Sequence, residues 1–129
     1  MSDTAILCVD DEPTILAALK EQLRRRFGSR HLYETAGSVA EAWEVIGEMC
    51  DDSIKIVIIV SDWQMPGVKG DEFLAQVHRR YPAILTVMLT GQAPAEAIER
   101  ARRDAGLYAC LSKPWDEAEL AGVIESALG

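Results

Sequence analysis

Four separate points in the chain carry side chains suited to a divalent cation and a phosphoryl group. Asp10, Asp11 and Glu12 follow one short apolar run, Asp62 closes a second, Thr90 ends a third, and Lys113 with Pro114 follows a fourth. Each has an ordinary explanation taken singly: Asp11 and Glu12 suit the first turn of a helix, Thr90 suits a cap, and Lys113 suits a solvated loop. Together they mean more. Three aspartates brought within about 5 Å of one another repel by about 3 kcal/mol per pair at an effective dielectric of about 20, so a fold that gathers them needs a counter-charge.

Oxygen-only ligands, with no partnering His or Cys and with coordination positions left open, favour Mg²⁺, which keeps several waters and takes up phosphate oxygens; Ca²⁺ asks for more protein ligands. A carboxylate beside such an ion is a competent nucleophile toward phosphorus, because the metal draws off charge that would repel the donor. The product is an aspartyl phosphate. Lys113 and the Thr90 hydroxyl then suit the phosphoryl oxygens.

For these groups to meet, the apolar runs must lie side by side with their carboxyl ends on one edge, where ligands gather in a doubly wound sheet. The pattern fits. Strands are expected over Ala5 to Val9, His31 to Thr35, Ile56 to Ser61, Leu85 to Thr90 and Leu107 to Leu111, the third and fourth being the most apolar and therefore central. Amphipathic helices alternate with them: Pro13 to Arg26 with Ile15, Leu19 and Leu23 inward; a second opened by a Ser38/Glu41 capping box and buried through Val39, Ala42, Trp43, Ile46 and Met49; Asp71 to Arg80; Pro94 to Asp104, whose inner face is only Ala97, Ile98 and Ala101; and a last one from Asp116, with Glu119 three residues on. Trp43 reads as core, and Cys50 to Lys55 reads as an enlarged loop. The expectation is an α/β fold occupying residues 1–129 as one domain.

Composition narrows the partners. With 13 Lys plus Arg against 21 Asp plus Glu, the net charge of −8 repels nucleic-acid backbones and anionic lipid surfaces. No segment has the apolar length needed to span a bilayer, and no basic leader precedes the first strand. Cys8, Cys50 and Cys110 show no metal-site spacing and suit free thiols in a reducing compartment. A cytoplasmic location without direct nucleic-acid or membrane binding is expected.

Four motifs in order, Val9-Asp10-Asp11-Glu12, Ser61-Asp62-Trp63-Gln64-Met65-Pro66-Gly67 with Gly70 behind, Leu89-Thr90-Gly91, and Lys113-Pro114-Trp115, make nearly the whole chain resemble the receiver domains of bacterial response regulators in two-component signalling. The resemblance implies a flavodoxin-like five-stranded parallel sheet of order 2-1-3-4-5 with five helices, and a cis bond before Pro114. It implies Asp62 as phosphoacceptor, Thr90 as switch hydroxyl and Lys113 as phosphate-binding lysine. Asp10, Asp11, Asp62 and the backbone carbonyl of Gln64 are the implied Mg²⁺ ligands. A histidine kinase or phosphotransfer protein is the implied donor. Since the chain stops at Gly129, it is either a stand-alone regulator or a fragment lacking its output domain; the stretch around Ala105-Gly106-Leu107-Tyr108 is similar to receivers in hybrid kinases and cyclic-dinucleotide phosphodiesterases. The surface of the fourth helix, fifth strand and fifth helix is the expected output or dimer face, on a monomer or weak dimer.

The chain departs from the pattern where the family usually places an aromatic residue, three positions before the lysine. Cys110 stands there, read as an inert core thiol, with Tyr108 two residues earlier on the same strand face. Gln64 and Gln92 occupy two positions that tune phosphate lifetime in the family. Three readings compete with phosphorylation. A pseudo-receiver binding module is disfavoured by the intact set Asp10, Asp11, Asp62, Thr90 and Lys113. An Mg²⁺-dependent phosphohydrolase lacks a general acid or base, because His31 and His78 fall away from the acidic edge. Dinucleotide binding fails because the first turn is acidic where a glycine-rich cradle is required.

Overall fold

Alternating apolar and amphipathic segments become alternating strands and helices, in a computed structural model that describes residues 3–91 and 94–128. The strands are β1 (Thr4–Val9), β2 (Leu32–Ala36), β3 (Lys55–Asp62), β4 (Leu85–Thr90) and β5 (Ala109–Ser112). All pair in parallel, in the order β2-β1-β3-β4-β5. The two most apolar runs sit inside the sheet, β3 at its centre. That is where a strand covered on both faces has to be apolar along its whole length.

The helices are α1 (Pro13–Phe27), α2 (Val39–Asp51), α3 (Gly70–Arg80), α4 (Ala95–Asp104) and α5 (Glu117–Leu128). Successive strand residues face opposite sides of the sheet, so β3 sends Ile58 and Val60 to one core and Ile59 to the other. The first core takes Leu19, Leu23 and Phe27 of α1 with Leu120 and Ile124 of α5. The second takes Ile46 of α2, Phe73, Leu74 and Val77 of α3, and Ala101 of α4. Each such large side chain fully removed from water contributes about 1.5–3 kcal/mol, which fixes α1, α2 and α3 firmly. In α4 only Ala97 and Ala101 are buried, with Ile98 partly covered. This helix therefore has the weakest hold on the sheet.

Three local expectations need correction. The segment Cys50 to Lys55 is not an enlarged loop: α2 runs through Asp51, Ser53 takes a left-handed φ of 59°, and the Ser53 and Ile54 N–H groups donate to the Cys50 and Met49 carbonyls. This closes the helix as a Schellman motif, with serine where glycine is usual. The fifth strand begins at Ala109 rather than Leu107. Gly106 (φ 58°) turns the chain out of α4, and the Leu107 N–H donates back to the Ala101 carbonyl, so Leu107 caps the helix. Tyr108 consequently lies outside β5. Trp43 is only partly buried, its ring edge-to-face with Phe73 at 5.5 Å and the Arg80 guanidinium carbon 5.1 Å from its centroid. At the helix starts, Ser38 Oγ accepts from the Glu41 N–H as expected, while Asp116 Oδ1 accepts from Ala118.

Candidate metal and phosphoryl site

The carboxyl ends of β1, β3 and β4 and the turn after β5 converge on a cleft of about 440 Å³ lined by Asp11, Glu12, Asp62, Gln64, Thr90 and Lys113. Parallel pairing makes this happen. Asp10 follows β1, whose Val9 pairs with Ser61; Asp62 pairs with Leu89, next to Thr90; and Thr90 pairs with Ser112, next to Lys113. The Thr90 carbonyl also accepts the Lys113 N–H at 2.9 Å. The bond between Lys113 and Pro114 is cis.

Asp10 is fully buried and Asp62 is 5% exposed, while Asp11 faces solvent. One ligand oxygen from each of the three comes within 4.8 Å of the others. Lys113 Nζ sits between two of them, 2.8 Å from Asp10 Oδ2 and 3.2 Å from Asp62 Oδ1. Asp10 Oδ1 accepts the Glu12 N–H at 2.9 Å, so the buried carboxylate is held at both oxygens.

The electrostatics follow from burial and crowding. Asp62 is raised above its ordinary carboxylate value by desolvation first and then by the Asp10 charge; the Lys113 cation and a hydrogen bond from the Gln64 backbone N–H oppose this. Burial works to lower Lys113, yet the hydrogen bond to Asp10 and the charges of Asp62 and Asp10 outweigh it and leave the ammonium raised. A single lysine thus faces two buried carboxylates, with a third acid at the rim. The excess of negative charge and the all-oxygen donor set fit a hard divalent cation such as Mg²⁺.

The structure brings Asp10, Asp11, Asp62, Thr90 and Lys113 together as expected, and places Gln64 on the cleft wall. Gln92 lies outside the described residues. His31 bonds Thr4 near the start of β2, and His78 lies on α3, both away from the cleft. Cys110 is half-buried and its thiol is raised by burial, against a smaller effect of Arg102, which agrees with an inert thiol. Tyr108 is exposed, and its hydroxyl lies 2.6 Å from Ser126 Oγ on α5.

Gly70 stands out in the sequence, but its purpose does not. A Cβ there would stand 2.0 Å from the Asp62 carbonyl oxygen, and the Gly70 N–H donates to the Trp63 carbonyl at 2.7 Å. The start of α3 is thereby pressed against the backbone that carries Asp62. Also unforeseen are Lys69 Nζ 4.9 Å above the Trp63 ring and the Trp115 indole donating to Gln22 of α1 at 2.8 Å. The glycine spacing is the only signal in the sequence for any of these.

Comparison with known proteins points the same way. The family model described as response regulator receiver domain matches residues 6–125. The hydrogenase transcriptional regulatory protein HoxA of Cupriavidus necator is 32% identical over 130 residues, an alignment covering 99% of this chain and 25% of HoxA. The chain therefore spans about a quarter of the length of that relative. Among solved structures, the signal receiver domain of an HD domain-containing protein from Pseudomonas fluorescens Pf-5 matches with a TM-score of 0.86 and 28% identity, over 97% of this chain and 94% of that one. A response regulator receiver domain protein from Clostridium thermocellum matches with a TM-score of 0.85 and 27% identity, over 97% and 94% of the two chains.

Proposed function

Since the chain belongs to the response regulator receiver domain family, a family of signalling modules, we propose that it accepts a phosphoryl group on Asp62 from a histidine kinase or phosphotransfer protein and switches conformation in response. The observation that carries this reading is the position of Lys113, bonded at once to Asp10 and Asp62 beside a third carboxylate. Asp10, Asp11, Asp62 and the Gln64 backbone carbonyl are the groups that would hold Mg²⁺. When bound, the ion supplies charge neutralisation and a coordination position for a phosphoryl oxygen.

The residues of the chain do the rest. Lys113 holds Asp62 Oδ1 and so orients the carboxylate toward the cleft. An Asp62 oxygen attacks phosphorus as the P–N bond of a phosphohistidine breaks, and the imidazole leaves with the bonding pair. Lys113 and the Thr90 hydroxyl then donate to the phosphoryl oxygens. The added charge and acceptors favour a second arrangement of Thr90 and its loop. Because α4 is the helix least anchored to the sheet, it is the element expected to move, and the face of α4, β5 and α5 is the proposed output or dimer surface. Among the described residues no helix is long and apolar enough to cross a membrane. A cytoplasmic location, where a kinase donor would meet the domain, is part of the proposal.

Incubation with Mg²⁺ and acetyl phosphate followed by intact mass measurement tests the chemistry. The expected result is one added phosphoryl group, absent from an Asp62→Ala control. A chain that stays unmodified with Mg²⁺ bound would instead be a pseudo-receiver. Hydrogen exchange in α4 that does not change on phosphorylation would rule out the proposed output face.

A further inference from the structure

At the opposite edge of the sheet, where β3 and β4 begin, the end of α2 and the turn after α3 enclose a second cavity of about 350 Å³. Its lining is mostly apolar: the half-buried Ile54 together with Pro82 and Ala83, over the buried Ile46, Ile56 and Ile84. Among the described residues no carboxylate lines it. Lys55, Arg80 and Tyr81 stand around it instead, all hydrogen-bond donors.

None of the ion pairs among the described residues includes Lys55 or Arg80. Arg80 instead lies over aromatic rings, with its guanidinium carbon 5.1 Å from the Trp43 ring centroid and 5.6 Å from that of Tyr81. A cation–π contact uses no N–H hydrogen bond, so the five guanidinium donors stay available for a planar acceptor such as a carboxylate. Among the described residues the Tyr81 hydroxyl has only a long contact, accepted from the Cys50 thiol at 4.0 Å, so its own proton remains available to donate.

Apolar walls with a few convergent donors are the composition of a small-ligand site, and this volume lies at the small end of the range for such sites. From this juxtaposition we propose that the cavity binds a small apolar carboxylate, its hydrocarbon part among the isoleucines and its carboxylate between Arg80, Lys55 and Tyr81. The site is separate from the phosphoryl cleft and stands independently of the reading given to that cleft.

Titration of the intact chain with octanoate, followed by amide NMR shifts and calorimetry, tests the proposal, with 1-octanol as the uncharged comparison. Octanoate is expected to bind saturably at one site, shifting the amides of Ile54, Ile56, Tyr81 and Ile84 and slowing alkylation of Cys50 by iodoacetamide. Arg80→Gln and Lys55→Gln alter exposed side chains and leave the core intact. Each is expected to weaken octanoate about tenfold, the effect of losing one charge-assisted hydrogen bond, while leaving octanol binding unchanged. The proposal is overturned if octanol binds as tightly as octanoate, if neither charge variant changes octanoate affinity, or if the shifts gather elsewhere on the chain.

Discussion

Gly70 lies against the backbone of Asp62 so closely that a Cβ would stand 2.0 Å from the Asp62 carbonyl oxygen and 2.8 Å from the neighbouring Trp63 Cα. Both obstacles are main chain and cannot swing aside. Gly70→Ala must therefore push the start of α3 away from the acidic cleft. Overpacking of this kind costs about 1–3 kcal/mol, and contact with backbone puts the loss near the upper end, at about 3 kcal/mol. Urea unfolding measures it, and a loss below about 0.5 kcal/mol would contradict the close approach.

Crowding at Asp62 leads to a stabilising substitution. With its folded value raised, the ionised carboxylate disfavours the folded state at neutral pH, by about 1.4 kcal/mol for every tenfold gain in its proton affinity on folding. The contribution is fully favourable below the unfolded value of 3.8 and is lost as pH rises through the higher folded value. Asp62→Asn should therefore be more stable than the parent chain at pH 7 in metal-free buffer, with the difference shrinking as pH falls toward 3.8. Saturating Mg²⁺ should also narrow the gap, because it stabilises only the chain that keeps the third carboxylate. Chemical denaturation across pH, with and without Mg²⁺, reads both effects.

Removing the cation acts in the other direction. In Lys113→Met, Asp10 is left fully buried without its 2.8 Å partner. Breaking a buried pair costs about 3–5 kcal/mol, and the 18% exposure of the lysine side chain places the expected loss near the lower end, at about 3 kcal/mol. The ammonium contribution is complete below the unfolded value of 10.5 and disappears as pH rises through the higher folded value. The difference between parent and variant should therefore hold at neutral pH and close in strong alkali, as thermal unfolding would show.

The three thiols should separate by reactivity. Cys50 is exposed, Cys110 is half-buried and Cys8 is buried, with burial pushing the Cys8 thiol up to about 12 against a small opposing effect of Lys20. A disulfide reagent at about pH 8 should modify Cys50 first, Cys110 more slowly, and Cys8 only at the rate of global unfolding. The Cys8 contribution to stability is intact below pH 9.0 and falls as pH rises toward about 12. Comparing Cys8→Ala with the parent chain across that range isolates it.

Much of the fold and of the acidic cleft is legible in the residue order. Parallel strands buried on both faces leave near-continuous apolar runs, so Ala5 to Val9, Ile56 to Ser61 and Leu85 to Thr90 stand out, along with the polar residues that end them. Boundaries set by caps are harder to read. Ser53 adopting the left-handed region and Leu107 folding back onto Ala101 depend on backbone bonds that residue types only weakly encode.

The amino-acid order alone determined the alternation of strand and helix and the identity of the acids, hydroxyl and lysine that end the strands, because periodicity and residue type are local properties. Only the tertiary structure decided which oxygens share Lys113, how near Gly70 comes to Asp62, and that Ile54, Lys55 and Arg80 meet around one cavity. Those relations are set by strand register and helix packing between residues far apart in the chain, and no local pattern records them.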